Sequence, residues 1–182
     1  MPFHHESEEK EMNSQVWYRE FWKRSLNDRR INQNCSTREY TKRMDAFLRN
    51  MAQNLRFDVV EPESRVFGNG RIDQLWKRDD FEITIEHEND YFGVDNETRK
   101  LCKNKSDLKV LITYVEDEDL YSRAQDIAKQ VENQVRQGDD FLLIVGDYAE
   151  YGWCADWVAF RPITTVRMEL VRGRPLRQGK LK

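Results

Sequence analysis

The chain has 182 residues, of which 38% are hydrophobic and 35% charged, enough for one core with helices laid over a sheet. No apolar run approaches the roughly 20 residues of a membrane span, and the opening MPFHHESEEKE has no apolar signal core, so a soluble, cytoplasmic protein without a membrane partner is expected. The net charge of −3 is unevenly placed: residues 161–182 carry seven Lys or Arg against Glu169 alone, +6, which leaves −9 for residues 1–160.

Cys35, Cys102 and Cys154 are scattered and form no CxxC pair, so neither a zinc ribbon nor a disulfide framework is supported. The histidines, His4, His5 and His87, show no HExxH spacing.

In chain order, residues from about 8 to 33 are expected to be helical, with Val16, Trp17, Phe21 and Trp22 on one stripe. Trp17 and Trp22 either wrap the core or offer a homodimer contact. A second helix restarts at STREYTKRMDAFLRNMAQNL, capped by Ser36 or Thr37 with Glu39 behind, and its apolar face is Tyr40, Met44, Phe47, Leu48, Met51 and Leu55. Three short strands follow at 57–61, 71–76 and 81–88, connected tightly enough for an antiparallel meander. NETRKLCKNK predicts a short helix, LKVLITYV (108–115) a strand buried on both faces, residues 119–138 an amphipathic helix ended by Gly138, and FLLIVGDY (141–148) another buried strand. Two more strands are expected near 153–160 and 163–171. The fold class is α/β: a mixed sheet with an α-β-β-β-α-β core flanked by helices. The expected division is a helical extension (1–36), the α/β core (37–160), and a last strand with a basic tail (161–182). In that tail Arg172, Arg174, Arg177 and Lys180 either contact phosphates or form a solvated terminus.

The stretch FEITIEHEN (81–89) lines up Glu82, Thr84, Glu86 and Glu88 on one strand face. A two-residue loop at Asp79-Asp80 would set Trp76 opposite Ile83 and, on the other face, Lys77 opposite Glu82 and Asp73 opposite Glu86. A four-residue loop keeps these faces; a three-residue loop splits the apolar set and is disfavoured. Asp73, Glu86 and Glu88 should therefore project from one face, where they repel unless something positive intervenes. Two readings follow. Either the face is solvated and paired with Arg71 and Lys77, or it holds Mg²⁺ or Mn²⁺, hard cations that take oxygen ligands. His87 alternates onto the apolar face and reads as a hydrogen-bonded packing residue. Tyr151, Trp153 and Trp157 stack on bases or pack in the core.

With that order of elements, the sequence resembles the PD-(D/E)XK nuclease superfamily, whose core is α-β-β-β-α-β; residues 37–115 carry the likeness. Asp73 in RIDQLW matches the family's Asp, and Glu86-His87-Glu88 stands at its (D/E)-x-K, with Glu88 in place of the lysine, as in Glu-x-Glu members. The resemblance implies Asp73, Glu86 and Glu88 as metal ligands and catalytic groups. It also implies Lys100, sharing a helix face with Glu97, as a helper that orients the attacking water or, with a lowered pKa, deprotonates it. Glu39 is the candidate for the first-helix acid that some members use, set against its role in capping the helix. The implied activity is Mg²⁺-dependent hydrolysis of DNA, or less readily RNA. The alternative is a catalytically inactive nuclease-fold module that binds nucleic acid or protein.

Overall fold

The computed structural model describes residues 12–28, 30–31, 35–60, 66–67, 70–89, 91–115, 120–149, 152–163 and 167–170. Helix α1 (Ser14–Ser25) is shorter than the periodicity suggests. Asn13, in extended backbone, starts it by accepting from the amides of Gln15 and Val16. It closes where the Asn27 and Asp28 amides both fold onto the Arg24 carbonyl and the Asn27 side chain reaches back to Lys23. Helix α2 (Thr37–Asn54) begins at Ser36, whose hydroxyl accepts from the Glu39 amide as expected. Tyr40, Met44, Phe47, Leu48 and Met51 form its buried face. It ends with Arg56 in the left-handed region (φ 60°) and the Phe57 amide on the Ala52 carbonyl.

The sheet contains β1 (Asp58–Val60), β4 (Gln74–Arg78), β5 (Phe81–His87), β6 (Leu108–Val115), β7 (Asp140–Ala149), β8 (Gly152–Ile163) and β9 (Arg167–Leu170) in that spatial order. The three strands β5, β6 and β7 run parallel, and every other pairing is antiparallel. Helix α3 (Val94–Lys103) connects β5 to β6 and α4 (Leu120–Glu132) connects β6 to β7, as parallel neighbours require. The expected strand 71–76 is in fact two pieces. Its start, β3 (Gly70–Arg71), pairs with β2 (Val66–Phe67) in a separate hairpin, and β4 begins only at Gln74. Helix α4 stops short of Gly138, because the Asn133 side chain and the Gln134 amide bond back to the last turn; Gly138 takes φ 92° in the following turn.

Two apolar layers enclose the sheet. On one side Trp17, Phe21, Tyr40, Met44 and Phe47 from α1 and α2 meet Trp76, Ile83, Ile85, Val110 and Ile112. Trp17 lies 5.7 Å from Trp76, and Phe21 meets Trp157 edge-on at 5.0 Å, so Trp17 belongs to the core and the homodimer reading draws no support from it. Trp157 is likewise a core residue, 6% exposed, and is withdrawn as a base-stacking candidate. On the other side Val94, Leu101, Ala124, Ile127 and Val131 from α3 and α4 cover Leu111, Phe141, Leu143 and Val145. Alternating residues of β6 enter both layers, as its unbroken apolar run suggested. Among the described residues no helix is long and apolar enough to cross a membrane.

Candidate functional site

The β4–β5 hairpin has the two-residue loop, with Asp79 in the left-handed region (φ 52°) that aspartate tolerates. Trp76 opposes Ile83 and Lys77 opposes Glu82, and these last two side chains form an ion pair near the turn. The ladder ends at Gln74 opposite Ile85. One step further the His87 amide would lose its strand partner. The exposed side chain of Asp73, in the bend before β4, accepts that N–H at 2.9 Å instead. Asp73 is thus held beside the end of β5 by a backbone bond rather than by lying in a strand.

Glu86 lies across from Leu111 of β6 and is 1% exposed. Burying a carboxylate requires a partner. Lys100 of α3 supplies it: Nζ stands 2.9 Å from Oε1 of Glu86 and also pairs with Glu97 one helical turn away. Burial, with the nearby Asp73 charge, pushes the Glu86 carboxyl up to about 9, against the pull of Lys100. Burial alone would lower Lys100, but the Glu97 and Glu86 carboxylates outweigh it and hold its pKa above the ordinary lysine value. The expectation of a lysine with a lowered pKa is therefore corrected: Lys100 is a fixed positive charge. The solvated reading of the strand face is corrected as well for Glu86 and Thr84, both buried under α3. The same side of the sheet holds two more buried oxygens, the hydroxyls of Thr98 and Thr113, with no hydrogen-bond partner among the described residues.

Glu88 takes a different position. Its amide extends the β5–β6 ladder by bonding to the Ile112 carbonyl. Its carboxylate lies over Gly93, which caps α3; a Cβ there would fall 2.6 Å from the carboxyl carbon. A helix N-terminus favours such a charge. Among the described residues no three His, Cys, Asp or Glu side chains group closely enough to hold a metal ion, so the expected triad of Asp73, Glu86 and Glu88 does not converge.

His87 faces the other layer as expected, bonded through Nε2 to the Tyr114 hydroxyl at 2.7 Å and set beside the Tyr40 ring. Burial lowers its pKa to about 4, although Asp73 and Asp45 act to raise it. Asp45 went unnoticed in the sequence. From α2 it accepts from the Gln74 amide at 2.7 Å and pairs with Arg49, fixing the residue that follows Asp73. Glu39 lies in the first turn of α2, where its backbone amide donates to the Ser36 hydroxyl and its carboxylate pairs with Arg43 on the surface. Arg172, Arg174, Arg177 and Lys180, and the side chains of Arg71, Tyr151 and Trp153, lie outside the described residues.

Compared with known proteins, the chain matches no family model, no curated protein and no solved structure.

Proposed function

We propose that the protein is a metal-dependent nuclease of the restriction-endonuclease-like kind, hydrolysing phosphodiester bonds in DNA or RNA. The observation that carries the reading is Glu86, a buried acid coupled to the exposed Asp73 on one side and to the Lys100 ammonium on the other. The order of the main-sheet elements, α2-β1-β4-β5-α3-β6 with the separate β2–β3 hairpin inserted after β1, supports it by following the α-β-β-β-α-β pattern. A carboxylate pushed up to about 9 by burial and by its neighbour's charge is a group that a divalent cation would return to its charged form.

The donor set suits Mg²⁺ or Mn²⁺, since two carboxylate oxygens leave room for the waters that Mg²⁺ retains. Asp73 and Glu86 would hold the ion, with Glu88 kept at the entry to α3. Bound there, the ion would neutralise charge developing on a phosphoryl oxygen. Lys100, staying protonated, holds the Glu86 carboxylate in place and adds positive charge where a phosphate would approach. Asp73 keeps one oxygen on the His87 amide, which fixes its orientation.

The Lys100–Glu86 pair also favours a second reading, because it compensates the buried acid without a metal. The protein would then be an inactive nuclease-fold module that binds nucleic acid or protein. Calorimetry with Mn²⁺, alongside incubation with plasmid, single-stranded DNA and RNA, separates the two. The nuclease reading expects binding and cleavage in the wild type, and a rate at least about a hundredfold lower in Asp73→Asn and Glu86→Gln, since losing even a group that only orients a ligand costs 10–100-fold. Metal binding without cleavage of any substrate would leave the module.

A further inference from the structure

We infer that the cleft between the end of α1 and the middle of α2 is a binding site for a small phosphate monoester. The cleft has a volume of about 620 Å³, within the range of small-molecule sites. Lys23, Arg24 and Asn27 line it from the last turn of α1 and the residues just beyond, and Phe47 and Asn50 line it from one face of α2. Both helices pack on the side of the sheet away from α3. The cleft is therefore separate from Glu86 and rests on no part of the nuclease reading.

The charges in the cleft set the sign of the ligand. Lys23 is exposed, and its ammonium has no partner among the described residues. Arg24, its side chain 31% exposed, has a loose ion pair with Glu20 at 3.6 Å. Asn50 accepts from Asn54 at 2.9 Å, while its own side-chain N–H groups have no acceptor among the described residues. Asp28 and Arg30 also line the cleft, but they neutralise each other through two bonds of 2.6 and 3.0 Å. The helix-end carbonyls, which would repel an anion, are covered: the Asn27 side chain donates to Lys23 at 2.8 Å, and the Asn27 and Asp28 amides donate to Arg24. Basic residues at a helix C-terminus answer its dipole, which accounts for Lys23 and Arg24 at that end. It does not account for a cavity that they share with Asn50 and Phe47 of another helix. A phosphate monoester, with a charge of about −1.5 to −2 at pH 7 and three terminal oxygens, matches two cations and an amide donor where a carboxylate would match one. Phosphate alone fills a small part of the cleft, and Phe47 gives an attached organic group an apolar wall.

The experiment is isothermal titration calorimetry of the full chain in EDTA, which keeps divalent metal out of the reading. The probes are adenosine monophosphate and glycerol phosphate, each against its unphosphorylated counterpart, with inorganic phosphate and sulfate beside them. At least one monoester should bind about tenfold or more tightly than its counterpart and more tightly than sulfate, with an affinity that falls as salt rises. Lys23→Gln should weaken that binding about tenfold, the loss for one hydrogen bond between charged groups, and Lys23→Arg should restore most of it. Asn50→Asp keeps the acceptor for Asn54 but sets a negative charge in the cleft, and should weaken binding at least as much. Lys42→Gln removes an exposed lysine of α2 that does not line the cleft, and should leave binding unchanged. Circular dichroism of each variant should match the wild type. Binding that ignores the phosphate, no binding by either monoester, or wild-type affinity in Lys23→Gln overturns the site. Sulfate bound as tightly as the monoesters overturns it too, since that marks an unselective counter-ion contact.

Discussion

The two faces of β5 are equally dry and chemically opposite. Ile83 and Ile85 point into the layer of α1 and α2 among Trp17, Trp76 and Met44, where apolar area removed from water is the main stabilisation. Thr84 and Glu86 point into the layer of α3, just as buried, among Ser106, Thr98 and Lys100. The first face needs only volume and shape. The second holds polar groups that call for partners, among them the Thr84–Ser106 bond at 2.6 Å, the Lys100–Glu86 pair, and nearby the buried Lys109 with its Asp139 partner at 3.0 Å, while the Thr98 and Thr113 hydroxyls have none among the described residues. A fold keeps so demanding a face where stability does not call for it, since buried ion pairs add little to stability. That contrast is the main physical argument for proposing a site on the α3 side of β5.

The sharpest break of the contrast is on the apolar face. Trp76→Ala removes a fully buried indole that touches Trp17 and Phe57 and donates to the Gln74 side chain at 2.8 Å. The expected loss is roughly 3–5 kcal/mol by urea denaturation, the range for large aromatic truncations in cores. A loss under about 1 kcal/mol would mean that α1 and α2 do not form a packed layer on the sheet.

On the polar face the test is pH. The Glu86 carboxyl is raised from about 4.5 to about 9 on folding. A raised pKa contributes stability that is full below about 4.5 and is lost as pH rises through about 9. The wild type should therefore lose stability across that window, on the order of 3 kcal/mol, while Glu86→Gln shows little of this slope. Mn²⁺ should flatten it in the wild type if Glu86 holds the ion. A pH dependence identical in the wild type and Glu86→Gln would place the charge elsewhere.

Much of this was readable in advance. Which residues of the hairpin share a face followed from keeping Ile83, Ile85 and Trp76 on one side, because burial tolerates no one-residue slip; the choice between a two- and a four-residue loop did not. The mixed sheet and the doubly buried β6 followed from the crossover helix and the unbroken run LKVLITYV. What was not readable is what covers the glutamates. Strand alternation tells which residues share a face, not which helix lies over it. The signal was present but indirect: Val94, Thr98, Leu101 and Cys102 form a stripe on α3 that must be buried against something. Asp73 was placed on the correct hairpin but in a strand, because the short β2–β3 hairpin that ends its run depends on local turns, not on periodicity. Asp45 was missed because an aspartate four residues before an arginine on a helix reads as an ordinary surface pair.

His87 refines the comparison, being the one titratable group that β5 sends into the apolar layer. Its pKa falls from 6.5 to about 4 on folding, because burial penalises the charged ring. A depressed value contributes stability present above about 6.5 and lost as pH falls through about 4. Acidification across that window should cost the wild type about 2 kcal/mol, and His87→Gln should remove the loss. The Glu86 slope runs the opposite way, so the two variants isolate the two faces of one strand: Glu86→Gln acts on the alkaline limb and His87→Gln on the acid limb. Both variants flattening the same limb would show the faces to be electrically one site.

The smallest effect is expected where the glutamate face finally reaches water. Lys77 and Glu82 pair beside the hairpin turn with side chains 45% and 33% exposed. Water screens such a pair, and holding two long side chains together offsets much of what attraction remains. Lys77→Ala should therefore change stability by no more than about 0.5 kcal/mol, and that change should vanish at high salt. Glu82 and Glu86 share a face and lie four residues apart, yet one is expected to be nearly silent and the other to set the alkaline limb of the stability curve. If Lys77→Ala proved as costly as Glu86→Gln, burial under α3 would not be what distinguishes the two glutamates, and the case for Glu86 as the centre of the site would fail.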